Sequence, residues 1–143
     1  MKRSAALTPL SHEHHQALFV AMQLKRAEDD GPGQVYLDFL TDGGARHFEI
    51  EETILLPGWA AGDPRSDKAS SDRVLREHRE LLAGAERIRS GETGVDELHE
   101  IGELLGSHVR FEERELFPAI EAGMEEEALA DLGEAIKAAE AGC

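Results

Sequence analysis

The sequence predicts an all-α fold, specifically an antiparallel up-down-up-down four-helix bundle with an additional C-terminal helix. The chain is rich in Ala, Leu and Glu, and only 5% of its residues are aromatic, a composition that favours helix over sheet. Apolar residues recur at helical spacing in four stretches of about twenty residues each. Mostly short connections join these stretches, and such connections make neighbouring helices antiparallel.

The first helix is predicted to begin at Thr8, which can cap it, with Pro9 at the first helical position. The Gly-Pro-Gly sequence of residues 31–33 is predicted to end it. Its apolar residues are spaced as on one helix face: Leu10, Ala17, Leu18, Ala21 and Leu24.

The second helix is predicted over residues 34–56, with Pro57 as its end, because proline removes a backbone donor and restricts the residue before it. Gly43 and Gly44 lower the helix propensity in its middle and predict a kink or close packing.

Residues 57–72 are rich in Gly, Pro, Ala, Ser and Asp and are predicted to form the longest loop. Two hypotheses fit Trp59 within it: a cap on the end of the bundle or a partly exposed anchor of the loop. The third helix is predicted to begin between residues 67 and 71 and to end at Arg89.

The fourth helix is predicted over residues 95–117, after a short connection at 90–94, and is expected to stop at Pro118. A further amphipathic segment, residues 125–141, predicts a fifth helix on the outside of the bundle.

At 143 residues the chain fits a single domain, with a core bundle at 8–118 and the extra helix at 124–141. Thirty acidic against fifteen basic residues give a net charge of −15. Such a surface repels phosphate backbones and anionic lipids, so we expect neither nucleic acid nor a membrane as partner. No signal peptide or membrane span is evident, and the single cysteine, Cys143, permits no internal disulfide. We therefore expect a cytoplasmic protein, with no protein partner identifiable.

Two segments repeat each other: residues 47–57 read HFEIEETILLP and residues 108–118 read HVRFEERELFP. In each segment a histidine precedes a glutamate by four positions, His47 before Glu51 and His108 before Glu112. Residues at i and i+4 lie on the same face of a helix. Each segment therefore presents an imidazole beside a carboxylate, an arrangement typical of metal ligands.

The odd-numbered helices extend the repeat, because Glu13-His14 near the start of the first matches Glu77-His78 near the start of the third. The chain thus resembles a helix–helix unit written twice. In the predicted bundle the four histidines and two glutamates fall in one layer. His15 is an alternative to His14, because its own inward positions are also apolar: Leu18, Phe19 and Met22.

Four imidazoles and two carboxylates are too many polar groups to bury without a purpose, and metal ions would satisfy them. Imidazole with carboxylate suits iron, manganese or zinc rather than calcium or magnesium. Two symmetry-related carboxylates can bridge two ions, each with two imidazoles and open positions for a small diatomic ligand. The candidate metal ligands are His14, His15, His47, Glu51, His78, His108 and Glu112.

Four further residues have alternative interpretations. His12 and His99 are expected at the surface. Glu52 and Glu113 directly follow the candidate carboxylate ligands. They either orient an imidazole or are simply solvated.

In combination, these motifs resemble the hemerythrin-like HHE cation-binding domain family. The resemblance rests on Glu13-His14-His15, His47-Phe48-x-x-Glu51-Glu52, Glu77-His78, and His108-x-x-x-Glu112-Glu113 with the prolines that follow. It implies a hemerythrin-like four-helix bundle and a non-haem centre of two Fe ions with an oxo or hydroxo bridge, for which Zn or Mn can substitute. It also implies that the two glutamates bridge and the histidines are terminal ligands.

The resemblance implies binding or sensing of O2 or NO, or the handling of iron. Oxygen carriers of the family have two histidines one turn apart on the third helix, whereas this chain has His78 alone between Val74 and Leu82. That departure favours sensing or iron chemistry over reversible oxygen carriage. An enzyme, either a di-iron oxidase or an iron-donating repair protein, is the alternative hypothesis, and the sequence does not decide between them.

Overall fold

The computed structural model describes residues 2–142, so Cys143 lies outside the described part. Within it the chain is all-helical, with 83% of residues in helices and no strand. The helices are α1 (Thr8–Lys25), α2 (Gly31–Phe39), α3 (Ala45–Ile50), α4 (Leu56–Gly62), α5 (Lys68–Arg89), α6 (Val95–Phe111), α7 (Phe117–Gly123) and α8 (Glu126–Ala141). Three π-helical turns, Leu40–Gly44, Glu51–Leu55 and Glu112–Leu116, join α2 to α3, α3 to α4, and α6 to α7. The result is five continuous helical segments among the described residues.

None of the helices in the described part is both long enough and apolar enough to span a bilayer.

The predicted cap of the first helix and its predicted end are both wrong. Leu7 occupies the N-cap position, and the Thr8 hydroxyl donates to the Ser4 carbonyl at 2.7 Å. The helix already ends at Lys25. Gly31 instead begins α2, and Pro32 lies in its first turn. Backbone N–H groups in a first turn have no acceptor within the helix, so a proline there removes no helical hydrogen bond.

Pro57 and Pro118 do not end their helices, contrary to prediction. The segments continue to Gly62 and Gly123. One residue, Leu56 or Phe117, separates each proline from a π-helical turn, and its backbone N–H donates to the Glu51 or Glu112 carbonyl. The wider turn relieves the contact between the proline ring and the preceding carbonyls, so the helix continues.

The predicted long loop at residues 57–72 is consequently much shorter, since only 63–67 separate α4 from α5. Trp59 lies on α4, is 2% exposed and donates its indole N–H to Asp63 at 3.0 Å. It is therefore a core residue, and the hypothesis of a partly exposed loop anchor is wrong.

The predicted kink at Gly43 is confirmed. Its φ of 159° and ψ of −20° are not helical, although the chain continues as a helix on both sides. At Gly44 a Cβ atom would come 2.8 Å from the Phe39 ring, so the second glycine permits close packing. The third, fourth and fifth helices also occur close to their predicted positions, as α5, α6 with α7, and α8.

The core consists of two apolar clusters on either side of a polar layer. On α1, Leu10 belongs to one cluster and Ala17 to the other, and the buried His14 lies between them. The backbones of α1 and α6 approach closely at Gly102, where a Cβ atom would come 2.8 Å from the Ala21 carbonyl oxygen. The helices thus hold the polar layer in the interior.

Candidate metal centre

Six of the seven candidate ligands meet in this buried layer. Each is at most 6% exposed: His14, His47, His78, His108, Glu51 and Glu112. They form two groups of four, and within each group one ligand atom per residue lies within 4.8 Å of the others. The first group is His14, His47, Glu51 and Glu112, and the second is His78, His108, Glu51 and Glu112. Both groups therefore share both carboxylates.

Every imidazole in the layer turns its Nε2 atom towards a shared carboxylate. The distances from Nε2 to the nearest carboxylate oxygen are 2.9 Å for His14 to Glu112, 3.1 Å for His47 to Glu51, 3.0 Å for His78 to Glu51 and 3.2 Å for His108 to Glu112. All four Nε2 atoms thus face the centre of the layer.

The opposite ring nitrogen, Nδ1, contacts an outer glutamate in all four cases. The pairs are His14 with Glu113 at 2.6 Å, His47 with Glu13 at 2.9 Å, His78 with Glu52 at 2.7 Å and His108 with Glu77 at 2.8 Å. An ionised carboxylate only accepts hydrogen bonds, so each Nδ1 carries a hydrogen and donates a hydrogen bond to the carboxylate. In a neutral imidazole this leaves the Nε2 lone pair pointing inwards, as metal ligation requires.

The donor set fits a metal. Inward lone pairs would face carboxylate oxygens at about 3 Å, which is unfavourable unless a proton or a cation lies between them. Two buried atoms, Nε2 of His108 and Oε2 of Glu112, have no hydrogen-bond partner despite their separation of 3.2 Å. Imidazole and carboxylate together are typical ligands of iron, manganese and zinc.

Without a cation, protons must balance the charge of the carboxylates. Burial opposes protonation of His108, but the negative charge of Glu112 and the hydrogen bond to Glu77 outweigh it and raise the pKa of His108 to about 10. Burial also tends to raise the pKa of Glu113, whereas hydrogen bonds from His14 and Ser11 lower it to about 2. The layer therefore holds positive charge strongly, in the form of protons or of metal ions.

The two central glutamates occupy equivalent positions in the local structure. Glu51 and Glu112 each begin a π-helical turn, and such turns occur frequently at functional sites. In both turns the first glutamate is fully buried in the layer. The next residue, Glu52 or Glu113, accepts a hydrogen bond from a histidine on another helix. The contacts agree with the hypothesis that Glu52 and Glu113 orient imidazoles.

The seventh candidate, His15, lies outside the layer. It is exposed, and its ring contacts that of His12, with 6.0 Å between the ring centroids. The face that made His15 a candidate points outwards, because Leu18, Phe19 and Met22 are 38%, 47% and 36% exposed. Of the two alternatives on the first helix, His14 is the one that the structure brings to the other ligands.

His99 also lies outside the layer, but it is partly buried rather than fully exposed. Its Nε2 atom lies 2.9 Å from the carbonyl oxygen of Ala27, with which it forms a hydrogen bond.

Sequence reasoning missed the roles of Glu13 and Glu77. Both mark the repeat in the sequence, and in the structure Glu13 accepts from His47 on α3 and Glu77 accepts from His108 on α6. The signal was present, because a glutamate directly precedes a histidine at both positions.

The two halves of the layer differ in what packs against them. Phe48 stacks on His78 with 4.2 Å between centroids and meets the edge of His108 at 5.9 Å. The equivalent residue in the second repeat is the smaller Val109, which lines a cavity of about 340 Å³ beside His14 and His47. His14 and His47 therefore line open space, as does His108 of the other half, whereas the Phe48 ring covers His78.

A family model described as the hemerythrin HHE cation binding domain matches residues 6–120. No curated protein and no solved structure matches the sequence at a significant level. The match covers most of the chain and includes every residue of the polar layer, and the buried histidine–glutamate groups fit the cation site that the description implies. The chain therefore belongs to the hemerythrin HHE cation-binding domain family.

Proposed function

We propose that this protein binds two non-haem iron ions and uses them to bind or sense O2 or NO, or to handle iron. One ion would be held by His14 and His47, the other by His78 and His108, with Glu51 and Glu112 bridging them. The observation that carries the proposal is the pair of four-donor groups that share both carboxylates.

Each ion would receive two imidazole nitrogens and two carboxylate oxygens from the chain. Iron commonly takes up to about six ligands, so positions remain for an external molecule. When bound, the two irons supply redox-active sites for a diatomic ligand. Zinc and manganese accept similar ligands and are the expected substitutes in iron-poor conditions.

The surrounding residues have defined tasks in this proposal. The four outer glutamates hold each imidazole with Nδ1 protonated and Nε2 turned inwards, which fixes both tautomer and orientation. The apolar clusters above and below the layer limit the access of water. Charge balance also favours cations, because the two central carboxylates are fully buried.

The proposal includes a single domain over residues 1–143 and an up-down-up-down arrangement of the first four helical segments. The short connections at 26–30, 63–67 and 90–94 support it, because short connections place consecutive helices antiparallel. The contacts of α8 with α3 and α4 support its place on the outside.

Metal analysis and optical spectroscopy test the proposal together. Protein purified from iron-supplemented cells should contain about two iron ions per chain. Anaerobic loading with ferrous iron followed by air should produce the near-ultraviolet absorption of paired ferric ions. A colourless protein with one zinc per chain would contradict the proposal.

The alternative is a di-iron oxidase or an iron-donating repair enzyme that uses the same centre. The cavity beside His14 and His47 favours it, because an enzyme needs room for a substrate. An oxidase would consume oxygen repeatedly in the presence of a reductant, and a repair protein would transfer iron to a cluster-free acceptor. Reaction with a single equivalent of oxygen, followed by no further consumption, would favour the binding function.

A further inference from the structure

The cavity beside the His14–His47 half is larger than a diatomic ligand needs. Its volume is about 340 Å³. A water molecule occupies about 30 Å³ in the liquid, and sites for small organic ligands start at about 300 Å³. The cavity thus has room for an organic molecule of about ten to fifteen heavy atoms.

The interior of the cavity is largely apolar. Side chains from four different parts of the chain line it, and they are Ala17, Val35, Phe39, Phe48, Leu105 and Val109. Most of them are buried or partly buried, so they provide a dry wall for a hydrocarbon or aromatic body.

The rim of the cavity is negatively charged. Asp42 and Gln16 are exposed there and Glu13 is partly exposed, while no lysine or arginine among residues 2–142 lines the cavity. The chain as a whole carries a net charge of −15. An anion is therefore repelled at the entrance and a cation is attracted.

Two local features of the sequence create this space. The kink at Gly43 lies on the cavity wall and interrupts the regular helix there. Val109 stands where the other repeat has Phe48, so a smaller side chain lies at this point of the cavity wall. Three imidazoles of the polar layer, those of His14, His47 and His108, also line the cavity, so it adjoins both halves of the layer.

We propose that this cavity binds a small organic cation, a protonated amine with an apolar body of about the size of a phenyl ring. The body packs against Ala17, Phe39 and Val109, and the ammonium group lies at the rim beside Asp42. This inference goes beyond the proposed iron chemistry, and the apolar side chains and the Asp42 carboxylate on which it rests are not candidate metal ligands.

The test is a binding titration of the full chain, in iron-loaded and metal-free form, with 2-phenylethylamine as the probe. Phenylacetate and 2-phenylethanol carry the same body with a negative and a neutral end. We expect the amine to bind with a Kd below about 1 mM and at least about tenfold more tightly than phenylacetate. Methyl NMR signals of Val35, Leu105 and Val109 should shift on titration and locate the probe.

Variants of the wall and the rim test the site itself. Val109→Phe fills the cavity and should weaken amine binding at least about tenfold. Ala17→Leu fills it from the opposite wall, away from the histidine that precedes Val109, and decides the question if the first variant does not fold. Leu18→Ala is the matched control, because Leu18 follows Ala17 but faces outwards.

The charge at the rim is tested with Asp42→Asn, which should weaken amine binding about threefold to tenfold and leave 2-phenylethanol unaffected. Equal binding of amine and phenylacetate, unchanged binding in both filled variants, or no methyl shift at about 10 mM amine would each overturn the proposal. Iron content measured on the same samples reports separately on the metal centre.

Discussion

The His14–His47 half and the His78–His108 half of the polar layer offer the same candidate ligands but have different surroundings. Each contributes two buried imidazoles, and each imidazole is hydrogen-bonded to an outer glutamate. Phe48 covers His78, whereas Val109 leaves a cavity of about 340 Å³ beside the other half. The repeat therefore specifies the candidate ligands, and the residues that differ between the repeats decide what packs against each half.

The outer glutamates show a second difference between the halves. Glu113, which accepts from His14, also accepts from the Ser11 hydroxyl at 2.7 Å and from Arg3 at 3.2 Å. Its repeat equivalent, Glu52, accepts from His78, and its side chain is 36% exposed. The N-terminal segment thus supports one half of the layer through Glu113.

The largest expected effect comes from a residue that both halves share. Glu112→Ala should reduce bound iron from about two ions to less than one per chain, because each four-donor group loses a ligand. Metal analysis measures this loss. Glu115→Ala is the control, since Glu115 lies in the same π-helical turn but is exposed. Retention of one full equivalent of iron would show that the halves are independent.

The packing difference predicts that truncation of the equivalent side chains, Phe48 and Val109, lowers the free energy of unfolding by different amounts. Phe48→Ala should lower the free energy of unfolding by about 3–4 kcal/mol, because it leaves a void against His78. Val109→Ala should cost about 1–2 kcal/mol, since it removes fewer atoms beside space that already exists. Urea unfolding of the metal-free variants measures both values. Equal losses of unfolding free energy in the two variants would mean that the cavity closes in solution.

The hydrogen bond from Arg3 to Glu113 predicts that substitution of Glu113 destabilises the protein more than substitution of Glu52. This difference is smaller than that between Phe48→Ala and Val109→Ala. Glu113→Gln should destabilise the metal-free protein by about 1–2 kcal/mol, because Arg3 and His14 lose a charged acceptor. Glu52→Gln should cost less than about 1 kcal/mol. Both should weaken metal binding about tenfold to a hundredfold. Unfolding and metal-competition titrations on the same pair of variants separate stability from affinity.

The last prediction concerns pH. The pKa of His108 is raised from 6.5 to about 10, so its contribution to stability is full below pH 6.5 and is lost as the pH rises through about 10. The pKa of Glu113 is lowered to about 2, so its contribution is lost only as the pH falls towards 2. Between about pH 7 and 10 the metal-free protein should lose at least about 3 °C in Tm.

The metal-loaded protein provides the contrast for this pH experiment. Its imidazoles bind metal instead of protons, so its Tm should change less over the same range. Parallel melting curves of the two forms make the comparison. A metal-free protein whose Tm rises between pH 7 and 10 would contradict the proton-balanced layer.

The sequence by itself determined the all-helical class, the family and the residues that form the polar layer, apart from the choice between His14 and His15. Helical periodicity is a local property, so the spacing from His47 to Glu51 and from His108 to Glu112 is enough to put each pair on one face. The repeat then identified the matching histidines on the other helices. These inferences need no knowledge of how one helix is rotated against another.

Only the tertiary structure decided the choice of His14 over His15, because adjacent residues differ by about 100° around a helix and both had apolar companions. It also decided that the helices continue through Pro57 and Pro118, since a π-helical turn before each proline accommodates the ring. The roles of Glu13 and Glu77, and the cavity beside Val109, likewise depend on contacts between helices that are distant in sequence. Such contacts arise from packing, which local periodicity does not specify.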